Sequence, residues 1–240
     1  MDRNPLIHPS TRAFYNEARK SQGFSLFNFL HGYIYARWVY FYIAMGTGQH
    51  PLARRLGPVM GWIGKLITHN APIDGSMPVI KMEDTYHGKV VPLQAARELV
   101  SVKEDIDLGD LEKIIPYSLA RDIVFQNPDH IVVMDCPCRA ARENPCLPMD
   151  VCLVIGEPFA GFVLAHHPDR SRQITSEEAQ AIIKAEDDRG HVHHAFFKDA
   201  MMGRFYAICN CCSCCCAAVN SHRNGTPMLA SSGYVAEIDG

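Results

Sequence analysis

The chain has 240 residues, 48% of them hydrophobic and 20% charged, with a net charge of −3. That length buries a core without help from metal or disulfides and suits one large domain or two small ones. The near-neutral balance excludes a general nucleic-acid binder, which would carry a strongly basic domain or stripe.

Charge is unevenly spread along the chain. Through residue 73 there are eight Lys or Arg against two acids, a net of +6, which leaves −9 for the remainder. A basic, aromatic-rich front and an acidic, cysteine-rich back suggest two regions with different partners. The start, Met1-Asp2-Arg3-Asn4-Pro5, leads into polar sequence without an apolar signal core, so a cytoplasmic location is expected. Ten cysteines in that setting stay reduced, which favours metal or redox chemistry over a disulfide framework.

In chain order, Phe27, Leu30, Ile34, Trp38, Phe41 and Met45 recur at helical spacing, and Tyr33, Tyr40 and Ile43 make the opposite side apolar too. A helix apolar all round is either buried or set against a membrane or partner protein. Over Phe24–Met45 the expectation is one buried core helix, because His31 and Arg37 interrupt any spanning window. Val59–Gly64 would pack against it. Residues 71–92 read as a linker or extended arm, from Pro72, Asp74-Gly75, Pro78 and His87-Gly88.

Helical patterning resumes at Leu93–Val100, and short helices are expected over Asp110–Ile115 and from Pro116 to about Phe125. Ile131–Met134 and Cys152–Ile155 read as short buried strands. Thr175-Ser176-Glu177-Glu178 is a capping box that opens a helix to about Asp188, stopped by Gly190. His191–Phe197 and Phe205–Ile208 complete a small mixed unit. The expected class is α+β: a helical region over 1–75, a linker with a helical segment over 76–128, and a cysteine-rich α/β domain over 129–240.

All ten cysteines fall in two sets along the sequence. Cys136, Cys138, Cys146 and Cys152 form a C-x-C-x7-C-x5-C pattern; Cys209, Cys211, Cys212, Cys214, Cys215 and Cys216 lie within eight residues. Six thiols so closely spaced cannot all face a core, and as free exposed groups they would oxidise. Thiolate is a soft ligand that selects iron–sulfur clusters, zinc or cuprous copper. Structural zinc sites show isolated C-x2-C knuckles or added His, and neither is clean here, so iron–sulfur is favoured. Four thiolates bind one cubane, so the simplest count is two 4Fe-4S clusters with two cysteines to spare. One cluster of unusual shape shared by both sets is the other.

His166-His167, His191, His193 and His194 flank the second set as ligand or proton-carrier candidates, against a plainer reading as partly exposed surface. Arg139, Arg142 and Arg204 lie beside cysteines in sequence and would offset a negative cluster. Amides near Gly156 or Gly203 would donate to cluster sulfurs. No phosphate loop, dinucleotide fingerprint or nucleophile elbow is present.

At Asp135-Cys136-Pro137-Cys138-Arg139 and Ile208-Cys209-Asn210-Cys211-Cys212-Ser213-Cys214-Cys215-Cys216 the chain resembles a group of ferredoxin-type 4Fe-4S iron–sulfur proteins found mostly in anaerobic bacteria. The resemblance extends through Asp84–Pro92 and Gly190–His194 and covers nearly the whole chain. Proteins of this kind typically continue into a ferredoxin module with C-x2-C-x2-C-x3-C-P runs, about where this sequence stops at Glu237-Ile238-Asp239-Gly240. The resemblance implies iron–sulfur binding and supplies no substrate. The expected role is electron transfer, with a ferredoxin or reductase as partner and the N-terminal region docking that partner or an anionic membrane surface. The alternatives are a reductase with an open-site cluster and a zinc-stabilised interaction module.

Overall fold

A computed structural model describes residues 7–21, 24–56, 86–102, 126–225 and 228–230. The elements expected at Val59–Gly64, 71–85, Asp110–Ile115 and Pro116–Phe125, and the C-terminal end, lie outside them.

Long β-branched and aromatic runs build one sheet from β1 (Tyr86–Val90), β2 (Gln126–Asp135), β3 (Asp150–Glu157), β4 (Ser171–Ile174), β5 (Val192–Lys198), β6 (Arg204–Cys211) and β7 (Leu229–Ala230). Their order is β4-β2-β3-β6-β5-β1-β7, antiparallel except where β7 lies parallel to β1. Part of the stretch expected as an extended arm is therefore β1, paired with β5 from Tyr86↔Lys198 to Val90↔His194. With helices before and within this sheet, the fold is α+β.

Both faces of the sheet are covered, so the central strands read as continuous apolar runs rather than alternating ones. Ile131, Val133, Leu153, Ile155, Phe197 and Ile208 face one way, under α4 (Leu93–Leu99) and α7 (Ser176–Asp188). Thr175 caps α7 as its capping box requires, its hydroxyl accepting from the Glu178 amide at 3.2 Å. Val132, Met134, Cys152, Val154, Phe196 and Ala207 face the other way, under α1 (Pro9–Lys20), α2 (Leu26–Arg37), α3 (Val39–Gly46) and α6 (Phe159–His166). A register shift in β6 puts both Tyr206 and Ala207 on this second face.

The aromatic segment differs from expectation in two ways. It is two helices, broken at Trp38 (φ −128°, ψ 43°), not one. The stripe Phe27, Leu30, Ile34, Trp38 and Phe41 points outward, with Phe27 76% exposed among the described residues. Gly32 and Ala36 face inward instead, together with Phe29, Tyr33, Tyr40 and Ile43. Small residues win the inner face because α2 runs hard against the chain at Ala200. A Cβ on Gly32 would lie 1.9 Å from the Ala200 carbonyl oxygen. Gly32→Ala is therefore expected to lower the denaturation midpoint, by about 1–3 kcal/mol of overpacking. Helix propensity opposes this with a gain of only about 0.8–1.0 kcal/mol.

Helix α1 is tied to the sheet by an ion pair. The Arg204 guanidinium donates to Glu17 at 3.0 Å with both groups nearly buried. Burial pushes the Glu17 carboxyl up, but hydrogen bonds from Arg204 and Lys20 outweigh it and hold the group below its usual 4.5. A depressed carboxyl contributes stability that is complete above its unfolded pKa and lost as pH falls through its folded one. The melting-temperature gap between wild type and Glu17→Gln should thus be full at neutral pH and close as pH drops below about 4.5.

Candidate metal centre

The cysteines gather where β2 and β6 end and β3 begins, on the face under α1, α2, α3 and α6. Cys136 leaves β2 with its amide bonded to the Met149 carbonyl (2.7 Å), then caps a single turn, α5 (Pro137–Ala140), that carries Cys138. Cys152 on β3 sits opposite Cys209 on β6, and Cys211 follows two residues on, hence on the same face. Cys212–Cys216 forms a tight turn closed by the Cys216 amide on the Cys212 carbonyl (3.3 Å), and leads into α8 (Ala217–Arg223). Side chains hold that turn: Asn220 donates to the carbonyls of Cys214 and Cys216, Arg223 to Ser213 and Arg142 to Cys215.

Folding reassorts the two sequence sets. Cys146 leaves its neighbours and joins Cys212, Cys214 and Cys215; the four sulfurs all lie within 4.8 Å of one another. These four thiols can hold a metal ion. Cys146 and Cys214 approach to 2.8 Å, and Cys214 is solvent-exposed. Hydrogen bonding from Cys146 draws the Cys214 thiol down to about 7, and the same contact pushes Cys146 up.

The other six are neighbours around one cavity, each close enough to another to shift its thiol. Cys209 meets Cys152, Cys152 meets Cys136, Cys136 meets Cys138, Cys138 meets Cys216, and Cys216 meets Cys211. Cys136 and Cys216 are drawn down, each accepting from two thiols and from backbone amides: Arg139 and Cys138 for the first, Val219 for the second. Their donors Cys138, Cys152 and Cys211 are pushed up. The six line a cavity of about 150 Å³, which Cys212 also borders. By the same measure one water needs only about 10–15 Å³.

Two Cys-Cys pairs link the groups. Cys211-Cys212 and Cys215-Cys216 each give one sulfur to the four-thiol set and one to the six-thiol set. Adjacent residues point in different directions, so doubled cysteines suit two adjoining centres better than one.

Of the flanking polar residues, Arg139 has the largest structural part. It is fully buried, donating to Glu186 (2.6 Å), to the Asn210 carbonyl (3.3 Å) and to the Pro148 carbonyl. Burial alone would lower its pKa, but the Glu186 contact raises it, and Cys136 and Cys212 add to that. Arg204 is not at the site; it belongs to Glu17. Gly203 spends its amide on the Lys198 carbonyl (3.0 Å).

Of the five flanking histidines, His166, His167 and His191 are partly exposed, as the plainer reading expected, whereas His193 and His194 are buried. His166 contacts the hydroxyls of Ser10 and Thr11, His167 donates to the Ala36 carbonyl (2.7 Å) and His191 to Glu186 (2.7 Å). His193 donates to buried Asn210, whose amide in turn donates to the Val151 carbonyl. His194 differs. It is 1% exposed, paired in register with Cys209, and neither ring nitrogen makes a well-formed hydrogen bond.

Sequence reasoning passed over the far wall of the cavity, where Lys198, His31, Tyr35, Tyr42 and Tyr206 converge. The Lys198 amine lies 3.7 Å from the Tyr35 ring centroid and 4.7 Å from that of Tyr42, and burial lowers it to about 7. Nothing in His193–Lys198 marks that lysine, which closes an otherwise ordinary strand.

No known family model matches the chain, and no curated protein or solved structure does either. No described helix is long and apolar enough to cross a membrane.

Proposed function

We propose that this is an iron–sulfur protein of the ferredoxin type that passes single electrons between a redox partner and its buried interior. The observation that carries the reading is the assortment of all ten cysteines into two adjoining groups joined by two Cys-Cys pairs. Iron–sulfur clusters, one or two of the 4Fe-4S kind, would supply one-electron storage when bound. Cys146, Cys212, Cys214 and Cys215 would hold the outer group, and Cys136, Cys138, Cys152, Cys209, Cys211 and Cys216 are the ligands available to the inner one.

The chain's own groups suit anionic thiolate ligands. Buried Arg139 places positive charge beside Cys136 and Cys212, and backbone amides help to draw the Cys136 and Cys216 thiols down. Cys214, at the surface, marks the side from which a partner ferredoxin or reductase would deliver electrons. The outward stripe of Phe27, Leu30, Ile34, Trp38 and Phe41, with the Arg37 guanidinium over Trp38, is the proposed docking face for that partner or for an anionic membrane surface.

Protein purified without oxygen is expected to carry about four irons per cubane with equal sulfide. Stoichiometric zinc with no sulfide would overturn the reading. The compactness of the outer four sulfurs gives zinc its best support, since one tetrahedral ion needs such a cluster. A second reading, a small-molecule reductase, is favoured by the cavity's continuation from the thiols to Lys198 and Tyr42. A change in the electron paramagnetic resonance spectrum on adding a small disulfide or thioester would support it.

A further inference from the structure

We infer that the six buried thiols hold a single iron–sulfur assembly larger than one cubane, a site distinct in kind from the outer four-thiol group. The inference rests on the iron–sulfur reading and goes beyond it, because it concerns what the inner thiols can bind.

One cubane takes four thiolates, and the inner group has six. No pair among them stands apart as spare: Cys136, Cys138, Cys152, Cys209, Cys211 and Cys216 all line the same cavity. The six divide by the elements that carry them. On one side, Cys136 directly follows β2, and Cys152 and Cys209 face each other across β3 and β6. On the other, Cys138, Cys211 and Cys216 come from α5, the end of β6 and the cap of α8. Each half offers three thiolates, one short of a complete cubane. Two such halves around one cavity supply the thiolates for one joined assembly of about eight irons.

A second, independent observation lies on the same face of the sheet. His194 is 1% exposed, sits opposite Cys209 in the strand register and close enough to Cys216 to sense its charge, and leaves both ring nitrogens without a well-formed hydrogen bond. Buried polar groups are normally satisfied. An imidazole held in this position is one that a bound group with sulfide acceptors would satisfy.

The test removes the outer group and counts what remains. Cys146→Ser/Cys214→Ser protein, prepared without oxygen, should retain about eight irons per chain with matching sulfide. About four would overturn the inference while leaving the iron–sulfur reading intact; wild type without iron or sulfide would overturn that reading itself. Should the double variant fail to fold, wild type decides. More than about eight irons, or about eight with one zinc, supports the joined assembly, and eight or fewer without zinc overturns it. Single serine variants at the six inner positions should each change the electron paramagnetic resonance spectrum. Two of them leaving both spectrum and iron content unaltered would mark spare thiols and overturn it as well.

Discussion

Arg139→Met is expected to remove about 3 kcal/mol of stability and loosen metal binding in the inner cysteine group. Its guanidinium and the Glu186 carboxylate are 0% and 1% exposed and 2.6 Å apart. Breaking a buried pair from one side typically costs about 3–5 kcal/mol, because the remaining charge is left in a poor solvent. The lower end applies here, since Arg189 and His191 still reach Glu186 at 2.9 and 2.7 Å. The same side chain also holds the carbonyls of Pro148 and Asn210, so its loss frees the loop after α5 and the end of β6 together. Lysine should rescue little, because a single ammonium cannot span three acceptors as a planar fork does. Removing the partner as well, in Arg139→Met/Glu186→Met, should recover much of the loss. Urea denaturation of the metal-free forms reads the stability, and chelator competition the metal.

Cys214→Ser is expected to do the opposite: to leave the fold alone and cripple the outer site. The Cys214 side chain is exposed, so exchanging sulfur for oxygen removes no packing. Metal-free wild type and variant should agree within about 0.5 kcal/mol, as surface substitutions usually do. Metal affinity at the outer group should fall by more than about 100-fold, since loss of an outer-shell partner alone costs 10–100-fold and this is a ligand. A variant that keeps its metal under chelator challenge would exclude Cys214 from the ligand set.

How much could be read in advance depended on the range of the interactions. The strands at Ile131–Met134 and Cys152–Ile155 and the capped helix after Thr175 are local patterns, and they form where expected. The aromatic segment misled because it is apolar on every side. Such a helix carries no sign of which face turns inward, and here Gly32 and Ala36 decided it by allowing close approach. The cysteines pointed to a metal site through their number and close spacing. Their assortment did not show, because Cys146 meets Cys214 across 68 residues and neighbouring thiols in the turn serve different groups. Lys198 was hidden for the same reason: its importance is set by burial, which a charged side chain does not announce, and Arg139, singled out for its place beside Cys138, gave no sign of its pairing with Glu186.

The doubled cysteines also act as a covalent ruler. Consecutive Cα atoms are 3.80 Å apart across a trans peptide, so Cys211-Cys212 and Cys215-Cys216 yoke the inner and outer groups at two points. Hinge motion elsewhere in the chain cannot prise those points apart; the pair must travel as one body. Any gate on traffic between the groups would therefore have to lie outside them, at the rim where Cys214 meets solvent or in the cavity beside Lys198.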